Sequence, residues 1–212
     1  MSNGNDPKKI ITRGLATIAT QKLNDEQKGY STTRNTWDGQ HECTITPNQD
    51  KTLLPSGNDP AWAEIRGPVI CDVELKIYAI PVEKMQELLS VEYSEADGVS
   101  FSSDADSIFV GMDIIVDAQS TAGRSKRKTT LYKVSFDLPE ISAKSVAEGD
   151  VAVADLTLKG KAYPVFYTKA DGKQGDKTLT IIDSTKQSTA WTARENTIIF
   201  PTAATTTPTE TA

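Results

Sequence analysis

The chain has 212 residues, of which 37% are apolar and 25% charged, and a formal net charge of −6. An acidic chain lacks the net positive field needed to grip nucleic acid along its whole surface, and two cysteines, Cys43 and Cys71, are too few for a disulfide-stapled secreted domain. No stretch is apolar for long enough to span a membrane, and Met1 to Ile18 has no uninterrupted apolar core of signal-peptide length, so the sequence predicts a soluble product of a cytosol, large enough to bury a core.

In chain order, residues 1–9 read as a flexible polar arm, and Leu15 to Ala19 as a first strand. Lys22 to Pro60 is punctuated by Gly29, Gly39, Pro47, Pro55, Gly57 and Pro60 and predicts one long irregular loop, with only Glu42 to Thr46 as a short strand. Trp37 and Trp62 fall in or just after it, and an indole is costly to leave in water, so both are expected to anchor onto the core or onto another subunit. From Val69 onward, Cys71, Val73, Leu75 and Ile77 alternate with Asp72, Glu74 and Lys76, the period of a strand with one buried face. Pro81 ends it, and Val82, Met85, Leu88 and Leu89 recur at helical spacing, which predicts a short amphipathic helix with Glu83 in its first turn.

Glu92 to Asp106 reads as a loop. Ile108, Val110, Met112, Ile114 and Val116 alternate as a strand, and Thr130, Tyr132, Val134 and Phe136 as one face of its return partner. Between them Asp117 to Lys128 predicts a long hairpin tip carrying Arg124, Lys126, Arg127 and Lys128, expected to contact an acidic patch on a neighbouring subunit. Further strands are expected in Val146 to Lys161, Ala162 to Thr168, Leu179 to Asp183 and Thr197 to Phe200, with a turn at residues 170–176 and Trp191 between the last two. Residues 202–212 are Thr/Pro-rich and predict a disordered tail, leaving 1–201 as a single domain.

No catalytic set emerges. The single histidine, His41, reads as an exposed loop residue, and with Cys43 and Cys71 it makes too small a group for a structural zinc site. Cys71, on the apolar face of its strand, reads as an inert buried thiol. No glycine loop follows a strand in a phosphate-cradling pattern, and pairs such as Asp104/Asp106 and Asp72/Glu74 read as solvated faces. The expectation is a protein that is not an enzyme and needs no cofactor or metal.

Two stretches resemble the major tail protein family, which forms the tail tube of long-tailed, non-contractile phages. The first is Cys71 to Leu89, a strand, a proline break and a short helix ending in Leu-Leu, followed by Asp97-Gly98-Val99. The second is Gly111 to Val116 with Leu131-Tyr-Lys133, Leu138-Pro139, Gly149-Asp150 and Leu158 to Ala162. The chain departs from the pattern at Ser90, where glycine is common, and at Met112, where a bulky aromatic is common.

The resemblance implies a mainly-β, sandwich- or barrel-type tail tube fold with one short flanking α-helix and a long hairpin. It implies a structural virion protein, made in the host cytoplasm, whose partner is itself: hexameric rings stack into a tube, with other tail proteins at its ends. Viral DNA would pass through the lumen without sequence-specific binding, and no membrane is involved. Acidic strand faces would repel phosphates, which nominates Asp72, Glu74, Asp113, Asp117 and Asp155 as lumen residues. The rival reading is a monomeric receptor- or carbohydrate-binding β-sandwich that uses Trp37, Trp62 and Trp191 as stacking platforms.

Overall fold

Alternation of apolar and polar residues builds a curled antiparallel sheet. The computed structural model describes residues 11–56, 58–78, 80–102, 107–120, 123–140, 156–169 and 171–201. The arm at 1–9, the tail at 202–212 and the first part, 146–155, of the strand expected within Val146 to Lys161 lie outside these residues, as does Asp155. The fold is mainly β. Its strands are β1 (Ile11–Lys22), β2 (Asn35–Trp37), β3 (Gln40–Ser56), β4 (Asp59–Ile77), β5 (Glu92–Ser94), β6 (Gly98–Ser100), β7 (Val110–Ser120), β8 (Gly123–Phe136), β9 (Leu156–Ala162), β10 (Val165–Thr168), β11 (Gln174–Lys177) and β12 (Leu179–Asp183). A 3₁₀ helix occupies Val82–Glu87, and an α-helix, α1, occupies Ser188–Ala193.

Eight strands share one sheet in the order β2-β1-β7-β8-β9-β4-β3, with β12 joined to β8; β5–β6 and β10–β11 are separate hairpins. The sheet curls until β1 and β3, near opposite ends of that order, approach within 8 Å without a hydrogen-bonded ladder. Its concave face closes over one core. Ile18 from β1, Met112 and Ile114 from β7, Leu131 and Val134 from β8, Leu158 from β9, and Cys71, Val73, Leu75 and Ile77 from β4 meet there. Trp37 joins them, and its indole N–H donates to Thr20 Oγ1 at 2.8 Å inside the core. It is therefore not a subunit-contact residue: a bulky apolar ring with one satisfied donor is a core residue.

Several expectations need correction. Lys22 to Pro60 is no irregular loop; beyond Arg34 it consists of β2, β3 and the start of β4. The tip between β7 and β8 is not a loop either, since both strands continue through 110–120 and 123–136 with Asp117 opposite Lys126 and Gln119 opposite Arg124. Glu92 to Ser100 folds as the small β5–β6 hairpin, turned at Gly98 with φ +75°, a left-handed conformation open to glycine. Thr197 to Phe200 is not a strand, and Trp191 lies in α1.

The flanking helix is 3₁₀, with Lys84 N–H donating to the Pro81 carbonyl and Leu88 N–H to the Met85 carbonyl. Only six residues separate Pro81 from the core leucines, too few for a stable α-helix. Val82 faces solvent, while Leu88 and Leu89 just past the helix are buried. On β8 the register slips between Leu131 and Val134, a β-bulge that turns Thr130 and Tyr132 to one face and Val134 and Phe136 to the other.

Gly160 marks the tightest strand contact. A Cβ there would collide with the Ser135 carbonyl oxygen and lie 2.9 Å from Phe136 Cα, both backbone atoms that cannot swing aside. Gly160→Ala is expected to destabilise the fold by about 1–3 kcal/mol, as overpacking does. Urea unfolding measures this, and an unchanged midpoint would contradict the close β8–β9 approach.

Candidate functional site

The hairpin β3–β4 outruns the sheet that anchors it. Among the described residues, β9 covers β4 only from Cys71 to Ile77, and β3 pairs only with β4. Residues 49–56 and 59–69 therefore form a two-stranded ribbon whose ladder partners, among the described residues, are only each other; at its base Thr178 Oγ1 donates to the Val69 carbonyl at 2.6 Å. Its prolines follow from this. Pro47 and Pro55 sit on the edge strand β3, and Pro60 and Pro68 on β4 before its second partner begins, where a missing N–H costs no ladder bond.

Both faces of the ribbon are open to solvent, and both carry large apolar side chains. Trp62 is 65% exposed, Ile65 57%, Leu53 54% and Leu54 37%. Ile65 lies opposite Thr52, and Leu54 opposite Ala63, on one face; Leu53 and Glu64 face each other on the other. An isolated two-stranded ribbon is at best marginally stable in water, and contiguous exposed apolar surface marks an interaction site. Sequence reasoning placed Trp62 here but missed Leu53, Leu54 and Ile65. The adjacent Leu53-Leu54 pair, which puts one apolar side chain on each face of a strand, was the available signal.

A second feature is buried. Asp113 on β7 is fully enclosed, with Oδ1 accepting from Thr130 Oγ1 at 2.6 Å and Oδ2 3.0 Å from Arg34 Nη1 and 3.4 Å from Lys128 Nζ. Lys128 is 0% exposed and also donates to the carbonyls of Arg194 and Glu195, with the Trp191 ring centroid 5.5 Å away. Burial pushes its ammonium below the ordinary lysine range, and Asp113 opposes that shift. So Asp113 is no lumen acid and Lys128 no surface contact: both lie beneath the C-terminal segment 188–201. That segment is also held by Ile198 N–H, which donates to Gln21 Oε1 at 2.6 Å, and by Ile198 and Phe200 against Tyr132 and Tyr30. Of the other nominated cations, Arg124 and Lys126 are exposed and Arg127 is half-buried. Arg34, Thr130 and Arg194 left no signal in the sequence, because the contacts that matter come from segments far apart in the chain.

The convex face of β3, β4 and β9 carries the remaining nominated acids. Asp72 lies opposite Lys161 and Thr46, and Glu74 opposite Lys159 and Thr44. Lys76 Nζ lies 2.7 Å from Glu42, and that hydrogen bond holds the Glu42 carboxyl below its usual range. Acid and base thus alternate from strand to strand, so this face is charge-balanced and not strongly acidic. Asp117 is exposed too, but on β7, away from Asp72 and Glu74.

His41 stands on β3, half-buried, with its ring stacked on Tyr78 at 4.3 Å, and is not an exposed loop residue. Cys71 is buried, and burial raises its pKa; burial likewise pushes the Cys43 thiol up to about 12, which leaves little thiolate at neutral pH. Among the described residues no group of His, Cys, Asp and Glu is arranged to hold a metal ion. No family model matches the chain, and no curated protein matches it.

The buried cluster makes a direct prediction. Asp113→Ala leaves Arg34 and Lys128 facing each other without an anion and is expected to cost about 3–5 kcal/mol. Lys128→Met keeps the Arg34–Asp113 pair and is expected to cost less. Urea denaturation of both variants measures the order, and equal or reversed costs would contradict the geometry.

Proposed function

We propose that this chain is the repeating subunit of a phage tail tube, a structural virion protein whose copies close into hexameric rings that stack around a channel for DNA. The observation that carries the reading is the β3–β4 ribbon, which extends past its own sheet with Leu53, Leu54, Trp62 and Ile65 exposed on its two faces. Such a ribbon gains most by burying these side chains against another copy, since apolar burial yields roughly 25 cal/mol per Å². A contact between different surfaces of identical subunits is heterologous, and it generates rings or open filaments according to its rotation. The motif order from Cys71 to Leu89 and from Gly111 to Ala162 supports the same reading.

In this reading the DNA-facing wall is chosen by charge. The β3–β4–β9 face, with Glu42, Asp72 and Glu74 interleaved with Lys76, Lys159 and Lys161, neither attracts nor repels phosphates strongly. A duplex sliding past balanced charge meets no run of phosphate contacts to break. Asp72 and Glu74 therefore stand as lining residues of a near-neutral wall.

The test is the ribbon itself. Leu53→Lys, Trp62→Glu and Ile65→Lys combined remove the three most exposed of its apolar side chains without touching the core. Wild-type protein is expected to sediment as rings or tubes at high concentration, and the variant as a monomer with an unchanged circular dichroism spectrum and thermal midpoint. A variant that assembles like the wild type would overturn the proposal.

A further inference from the structure

The C-terminal segment covers only part of the convex face of β7 and β8. Asp113, Lys128 and Thr130 lie beneath it, while Asp117, Gln119, Arg124 and Lys126, on the same face nearer the hairpin tip, stay exposed. The edge of the covering segment supplies Trp191, Glu195 and Asn196. Together they bound an open groove of about 930 Å³. The ring contact proposed for the β3–β4 ribbon does not use it.

The lining has a distinctive chemistry. Half-buried Trp191 brings its indole ring to the groove wall, with the buried Lys128 ammonium over the ring 5.5 Å from its centroid. Around it stand two carboxylates, Asp117 and Glu195, two carboxamides, Gln119 and Asn196, and the Arg124 guanidinium. These are planar groups that present paired donors or acceptors, the kind that bond neighbouring hydroxyls on a ring. Their charges offset: Asp117 and Glu195 balance Arg124 and Lys126, and Arg34 is engaged by Asp113. A phosphate or other strong anion therefore gains little here, whereas a ligand with one apolar face and many neutral hydroxyls gains from every wall. The volume is that of an ordinary ligand pocket.

We propose that this groove binds a neutral oligosaccharide, with one sugar face stacked on Trp191 and its hydroxyls bonded to Asp117, Gln119, Arg124 and Asn196. Repeated around an assembly, even a weak site would act with high avidity on a glycan-coated surface. The proposal does not rest on the tube reading, because the groove lies within one subunit. Its test uses the full chain carrying the three ribbon substitutions as well as the wild type, so that assembly and binding are read separately.

Chitotriose, cellotriose and maltotriose are titrated into both proteins, with tryptophan fluorescence and saturation-transfer NMR as readouts. At least one trisaccharide is expected to bind with a millimolar or tighter dissociation constant, equally in both proteins. Trp191→Ala is expected to weaken that binding by about tenfold or more, the scale of one lost stacking platform. Gln119→Ala with Asn196→Ala, exposed positions that bear no load in the fold, is expected to weaken it comparably and decides the matter if Trp191→Ala unfolds. Absence of binding by all three sugars, or binding that both sets of substitutions leave unchanged, would overturn the proposal.

Discussion

Strand β4 has two neighbours along its second half and one along its first, and most of the structure follows from that difference. Where β9 and β3 flank it, Cys71, Val73, Leu75 and Ile77 turn inward to a core that the curled sheet closes over. Where only β3 remains among the described residues, Leu53, Leu54, Trp62 and Ile65 stay in water, and prolines become admissible. A ribbon built this way keeps its backbone hydrogen bonds but leaves apolar surface in water. The free energy of that exposure favours association, which is why the proposed function is an assembly and not a chemistry.

The second constraint is the buried charge cluster of Arg34, Asp113 and Lys128. Burying Asp113 and Lys128 beside the half-buried Arg34 is expensive, and the arrangement is tolerable only because each charge meets an opposite charge and the two enclosed ions gain further hydrogen bonds. Thr130 and the carbonyls of Arg194 and Glu195 complete it. Apolar replacements of the same volume would fill the space equally well. The ions add direction: Lys128 reaches two specific carbonyls and so sets where the C-terminal segment lies, and with it the position of Trp191 at the rim of the groove.

The legible parts of the fold were those with one buried face. The alternation from Cys71 to Ile77 and from Val110 to Val116 marked β4 and β7 because burial on one side imposes a period of two. The long hairpin was illegible for the opposite reason. With neither face of its outer half buried, Thr-Pro-Asn-Gln-Asp-Lys carries no period, and Pro47 and Pro55 read as breaks although an edge strand accepts them. The bulge at Tyr132 and Lys133 reversed an alternation that looked regular. At the candidate sites, exposure separated side chains that composition had grouped: Trp62 and Trp191 reach a surface, whereas Trp37 fills the core. Asp113 and Lys128 looked like surface charges, and only the tertiary fold pairs them. The resemblance to tail tube proteins rests on short motifs along β4 and β7–β9.

The most direct measurement is negative-stain electron microscopy of the concentrated wild-type protein. The account predicts six-fold rings or stacked tubes with a continuous central channel. A uniform field of single subunits at the highest attainable concentration, in protein with intact secondary structure, would contradict it.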